Sequence, residues 1–377
     1  MEETIKKKNN SFTYVFKDNA FTPDDAAKGI LLFLVFETAI SLVYQTVYGL
    51  GINDSFLSYF FNVILDACFV LTVVIVAKNR NNEPFSQLHL KRVPNIIQIL
   101  LCVATSLVCI FGFSSLTNCF LQVLYNLGYS SLSSDMVIST IGDYLIYVAF
   151  VCVLPAVCEE ILFRGLIFTG LKKIGTAVGV FGSAFLFMIM HGSPDQTVHQ
   201  FILGIVLAVA FLVTNNLWVP ILIHFFNNFI AVTYAYIAYG DSASTEVEAT
   251  EIYLGQYFIY AVISSVIAGC LIYLIIKMLA NANSKKEKQE EAPAYGGSGT
   301  IGAEVEYKIL ESTTNETASQ NLNFGFEPNY TNVEVARETS LMNNPNKLTR
   351  QGKFIMTISV VWLALDWVLA LISGFLI

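Results

Sequence analysis

Six polar side chains and one phenylalanine between positions 159 and 228 stand at spacings that could gather them into one reactive centre. Glu159, Glu160 and Arg164 lie in the run PAVCEEILFRG, Phe187 and His191 in FLFMIMHGSP, and His224 and Asn228 in ILIHFFNNF. Residues four apart share a helix face, so Glu160 and Arg164 invite an ion pair, and Phe187/His191 and His224/Asn228 each project one way. Glu159 then points about 100° away from Glu160. Two adjacent glutamates can thus have separate tasks, one held by an arginine and one free to act on a substrate. One carboxylate, two imidazoles and an amide supply acid–base and hydrogen-bonding chemistry if their helices meet.

The elements that must position them are membrane helices. Of 377 residues, 55% are hydrophobic and 13% charged, roughly half the ~25% charged fraction of soluble domains. An ordinary water-soluble enzyme is excluded. The apolar residues fall in continuous runs near 29–50, 56–77, 95–117, 138–157, 174–191, 197–213, 217–237, 254–280 and 354–377, each long or nearly long enough to cross a bilayer as a helix. Runs that are apolar throughout, rather than alternating, exclude a barrel. The expected fold is all-α, a polytopic bundle with an eight-span core and a C-terminal ninth span. Lys and Arg cluster before the first span, between the second and third (Lys78, Arg80, Lys91, Arg92), between the fourth and fifth (Arg164, Lys172, Lys173) and after the eighth (Lys277, Lys285, Lys286, Lys288), while the connection at 238–253 is acidic. The positive-inside rule then predicts a cytoplasmic N-terminus and an external C-terminus in a cell-membrane protein.

Depth along the helices tests whether the groups can meet. If the fourth helix continues to Gly170 and turns near Lys173, Glu159 and His191 lie about 21 and 27 Å from that turn at ~1.5 Å per residue. His224 and Asn228 follow the turn Thr214-Asn215-Asn216 by about 12 to 20 Å. All four reach one layer. An ionisable residue within a membrane span marks a functional candidate, although single instances such as Glu37, Asp66 and Asp366 read as interhelical hydrogen-bonding glue. His89 and His199 read as ordinary solvated or interfacial residues.

The remaining chain divides simply. Residues 1–28 form a cytoplasmic segment without the apolar centre of a cleavable signal, and 29–280 form the membrane core. Residues 281–353 open on NANSKKEKQEEAPAYGGSG and are expected to be a polar, largely disordered cytoplasmic linker; 354–377 is the last span. All seven cysteines sit in or beside apolar spans and read as buried small hydrophobes. The Asn-x-Ser/Thr sequences at Asn53, Asn315 and Asn329 carry little weight as glycosylation signals.

The three motifs EEILFR (159–164), FMIMH (187–191) and HFFNN (224–228) resemble the EExxxR, FxxxH and HxxxN/D motifs of the CPBP family, which contains type II CAAX prenyl proteases and bacteriocin-processing or immunity proteins. The resemblance covers about 140–235. It implies an intramembrane endopeptidase: Glu159 as general base on water, aided by His191, with His224 and Asn228 donating to the tetrahedral oxyanion, and Glu160, Arg164 and Phe187 in support. Burial would make Glu159 a better base than an exposed glutamate. No cofactor is favoured. Glu159, His191 and His224 are nevertheless the right ligand types for a catalytic zinc ion, and a zinc-dependent hydrolysis remains the alternative, as does a non-catalytic immunity or regulatory protein. The expected partners are a hydrophobic or lipid-modified peptide or protein and membrane lipid, not nucleic acid.

Overall fold

A peptide backbone in hydrocarbon must satisfy its own hydrogen bonds, so the apolar runs close into helices. A computed structural model describes residues 21–51, 55–80, 88–90, 93–131, 138–239, 254–291 and 346–376, and among these there are helices and no strands. Eight are long and apolar enough to cross a membrane. They are α1 (Pro23–Gly49), α2 (Leu57–Lys78), α3 (Ile96–Asn126), α4 (Ile141–Lys172), α6 (Pro194–Thr214), α7 (Trp218–Ala238), α8 (Phe258–Ala282 within the longer helix Leu254–Glu291) and α9 (Arg350–Leu376). The fifth expected span is a shorter apolar helix, α5 (Val178–Met190), whose 13 residues span about 20 Å. The protein is thus an integral, multi-pass membrane protein. The helix at 254–291 continues past the expected boundary at 280, because Lys, Glu and Gln favour helix once apolar packing ends. The polar segment expected to be disordered lies, over 292–345, outside the described residues. By contacts the chain divides into one unit of Met1–Asn283 with Pro345–Ile377 and a second of Ser284–Asn344.

Local chemistry fixes the ends of the helices. Thr22 with Asp25, Asn95 with Gln98 and Thr140 with Asp143 each form a reciprocal capping box at the starts of α1, α3 and α4, pairing backbone donors that a helix start leaves open. Asn215 adopts a left-handed conformation after α6, and its N–H returns to the Phe211 carbonyl. Asparagine tolerates that geometry, and the chain can turn tightly into α7.

The connections sort onto two levels. At one, Arg80 pairs with Asp25, the Thr349 N–H donates to Asp24, and the Leu217 N–H and the Trp218 indole N–H donate to the carbonyls of His89 and Leu90. At the other, Tyr129 and Ser131 donate to Asp195, and the Ser130 N–H to the Gly374 carbonyl. Between them α4 packs against α1, α2, α5, α6 and α7. It carries wide π-helical turns at Val148–Val153 and Ile161–Phe168, on either side of Leu154–Glu160. Such turns mark places where a helix ladder is interrupted, and Pro155, which has no N–H, stands just after the first of them.

Candidate active site

Glu160 and Arg164, one turn apart on α4, are both fully buried. Arg164 Nη1 donates to Glu160 Oε1 at 2.8 Å and Nη2 to the Gly204 carbonyl on α6 at 3.1 Å. Its guanidinium carbon lies 4.7 Å from the centre of the Phe187 ring, close enough for a cation–π attraction. A buried charge pair is tolerable when further hydrogen bonds accompany it, as they do for this arginine. Position 204 needs glycine for a second reason: a Cβ there would lie 2.9 Å from Ala184 Cα on α5.

From α7, His224 Nδ1 lies 3.0 Å from the same Glu160 Oε1. A carboxylate paired with arginine is an acceptor, so Nδ1 carries the hydrogen in this contact. Phe187 packs edge-on against three neighbours, with ring centres 4.8 Å from His191, 5.1 Å from Phe163 and 5.7 Å from His224. Its phenyl ring therefore separates the buried ion pair from the second histidine.

Glu159 faces elsewhere. With His191 it borders a cavity of about 250 Å³ whose other polar lining residues are Glu37 of α1 and Asn62 and Asp66 of α2. Glu159 Oε2 is buried and has no hydrogen-bond partner among the described residues. His191, just beyond α5, places Nδ1 2.7 Å from the Phe187 carbonyl. A carbonyl only accepts, so Nδ1 is the donor and the neutral ring keeps Nε2 as an acceptor. Glu159 and His191 thus bring two proton acceptors to one cavity, which is what a water that must lose a proton requires.

Asn228 reaches the same wall from behind. Pro155 has no N–H to give the Val151 carbonyl four residues earlier, and that carbonyl accepts from Asn228 Nδ2 at 3.1 Å. Val151 lines the cavity; Asn228 and His224 do not. The expected convergence of four groups on one surface is therefore a two-layer arrangement. Glu159 and His191 are at the cavity, while His224 and Asn228 lie behind it, tied to Glu160 and Val151.

The zinc set Glu159, His191 and His224 does not fit one ion in this arrangement. His224 does not line the cavity that Glu159 and His191 border, and among the described residues no three His, Cys, Asp or Glu side chains are placed to hold a metal. His89, His199, Glu37 and Asp66 have defined surroundings as well. His199 is partly buried, and Asn227 Nδ2 lies 3.2 Å from its Nε2. His89 is also partly buried, with its ring near Phe211. Glu37 and Asp66, which read as structural glue, border the cavity with Glu159. The depth arithmetic could have found them: Glu37 lies about 21 Å from the start of α1 and Asp66 about 18 Å from the end of α2.

Residues 141–230 match the family model described as type II CAAX prenyl endopeptidase Rce1-like. The match spans all three motifs and supports their resemblance to the CAAX-protease family over this part of the chain. No curated protein and no solved structure matches the chain.

Proposed function

We propose that the protein is an intramembrane endopeptidase that hydrolyses a peptide bond in a hydrophobic or lipid-modified peptide, using water activated by Glu159. The observation that carries this reading is the separation of the two glutamates. Glu160 Oε1 accepts from Arg164 and His224 behind the cavity, whereas Glu159 borders the cavity beside His191; each glutamate keeps Oε2 without a hydrogen bond among the described residues. Similarity to a family described as prenyl endopeptidases supports the reaction class.

In this mechanism Glu159 takes a proton from water while His191 Nε2 accepts a hydrogen bond from it, and the water oxygen attacks the scissile carbonyl carbon. The carbonyl oxygen becomes an oxyanion; Asn228, with a second amide hydrogen beyond the one given to Val151, is the proposed donor once substrate brings it to the cavity wall, and His224, with Nδ1 on Glu160, holds the ion pair behind that wall. As the C–N bond breaks, the proton held by Glu159 passes to the leaving nitrogen, yielding a carboxylate and an amine. The Lys and Arg distribution supports a cytoplasmic start for α1 in a cell-membrane protein. We assign 281–353 as a cytoplasmic linker to an appended span.

Mass spectrometry of CAAX peptides with and without a farnesyl group, incubated with purified protein in lipid, tests the reading. Two complementary fragments are expected, with the prenylated peptide cut faster. Absence of cleavage of either peptide would overturn it.

A further inference from the structure

The polar lining of the cavity is unbalanced. Glu37, Asp66 and Glu159 come from three different helices to border it, and none of its lining residues is Lys or Arg. Asp66 is only 5% exposed yet makes no hydrogen bond or ion pair among the described residues. Glu159 Oε2 is likewise buried without a hydrogen-bond partner among the described residues. The guanidinium of Arg164 gives Nη1 to Glu160 and Nη2 to the Gly204 carbonyl and does not line the cavity. Buried carboxylates in a bilayer persist where a positive charge or a proton meets them; no Lys or Arg lines this wall, and Arg164 acts on Glu159 from behind it while paired with Glu160.

The rest of the lining suits a particular guest. Phe33 and Phe69 stack with ring centres 4.3 Å apart, and Leu65, Phe150 and Met190 complete an apolar surface beside the carboxylates. Aliphatic stems pack on such walls while a cationic head meets carboxylates or ring faces.

We propose that Glu37 and Asp66 form a recognition subsite for a lysine or arginine side chain of the peptide substrate, seated beside the bond that Glu159 attacks. The proposal rests on the endopeptidase reading and narrows its substrate class from hydrophobic peptides to peptides with a basic residue near the scissile bond. Glu37 and Asp66 act on affinity and register, and Glu159 on the chemistry.

Binding to the Glu159→Gln protein in lipid nanodiscs tests the subsite without turnover. The probes are farnesylated fluorescent CAAX peptides in which lysine or its neutral analogue norleucine is scanned through the residues flanking the scissile bond. At one position lysine should bind about tenfold tighter or more, the scale of a charge-assisted contact. Asp66→Asn should abolish that advantage and Glu37→Gln reduce it, leaving norleucine-peptide affinity unchanged. Two variants on different helices, each checked by its melting temperature, guard against misfolding. Equal affinity for both peptides at every position, a lysine advantage that survives both substitutions, or no binding of either peptide overturns the subsite. Cleavage by the native protein is scored separately: selective binding of the lysine peptide with no cleavage would sink the endopeptidase reading and leave the subsite standing.

Discussion

His224 Nδ1 lies 3.0 Å from Glu160 Oε1, the same oxygen that accepts Arg164 Nη1 at 2.8 Å. One carboxylate oxygen therefore joins two side chains of α4 to a histidine of α7, in a place where Glu160 and Arg164 are fully buried and His224 is nearly so. The arrangement gives the adjacent glutamates opposite characters. Glu160 is a structural acceptor with its hydrogen bonds directed into the bundle, and Glu159 is left at the cavity.

Glu160→Gln should unfold more readily than the native protein. The substitution leaves Arg164 buried without its counter-charge, a change worth about 3–5 kcal/mol in comparable pairs. Thermal unfolding in detergent should show a clear drop in melting temperature. An unchanged melting temperature would mean that the pair does not hold the bundle together.

Gly204→Ala should weaken both the α5–α6 contact and the seat of Arg164. The added methyl would meet the Ala184 backbone at 2.9 Å, and the Gly204 carbonyl is an acceptor for Arg164. A loss of about 1–3 kcal/mol is expected from such overpacking, read as a lower melting temperature with lowered cleavage. An equally stable variant would contradict the close packing of these helices.

Pro155→Ala should restore an N–H able to bond the Val151 carbonyl and so compete with Asn228 for that acceptor. We expect a lower kcat without a lower melting temperature, and Asn228→Ala should lower kcat in the same way. If both variants cleave at the native rate, the Asn228–Val151 contact has no part in shaping the site.

Cleavage should survive exhaustive chelation, and purified protein should contain far less than one zinc per chain by elemental analysis. Loss of activity on chelation, restored by stoichiometric zinc, would show that Glu159, His191 and His224 rearrange around a metal.

Much of this architecture is legible in the sequence, for identifiable reasons. Length and apolarity reveal the membrane helices because a bilayer leaves the backbone few alternatives. The four-residue spacing of Glu160 and Arg164 reveals their shared face because both lie within one helix. The contacts between helices are harder to read. That His224 would turn to Glu160, leaving Glu159 at the cavity, depends on how α7 is rotated against α4, and spacing within either helix carries no such information. Pro155 announces a break in the ladder, but the acceptance of Asn228 by the freed Val151 carbonyl appears only once α7 is packed. Glu37 and Asp66 lie far from the motifs in sequence, so depth was their only signal. Treating each as a lone polar residue hid that they share a layer with Glu159.

The most direct measurement is single-turnover cleavage of a CAAX peptide by Glu159→Gln, with its melting temperature recorded on the same preparation. The variant is nearly isosteric but cannot take the proton from water. A rate loss of about a thousandfold, within the range for a removed general base, is predicted with the melting temperature unchanged. Near-native cleavage by a folded Glu159→Gln protein would contradict the assignment of Glu159 as the base.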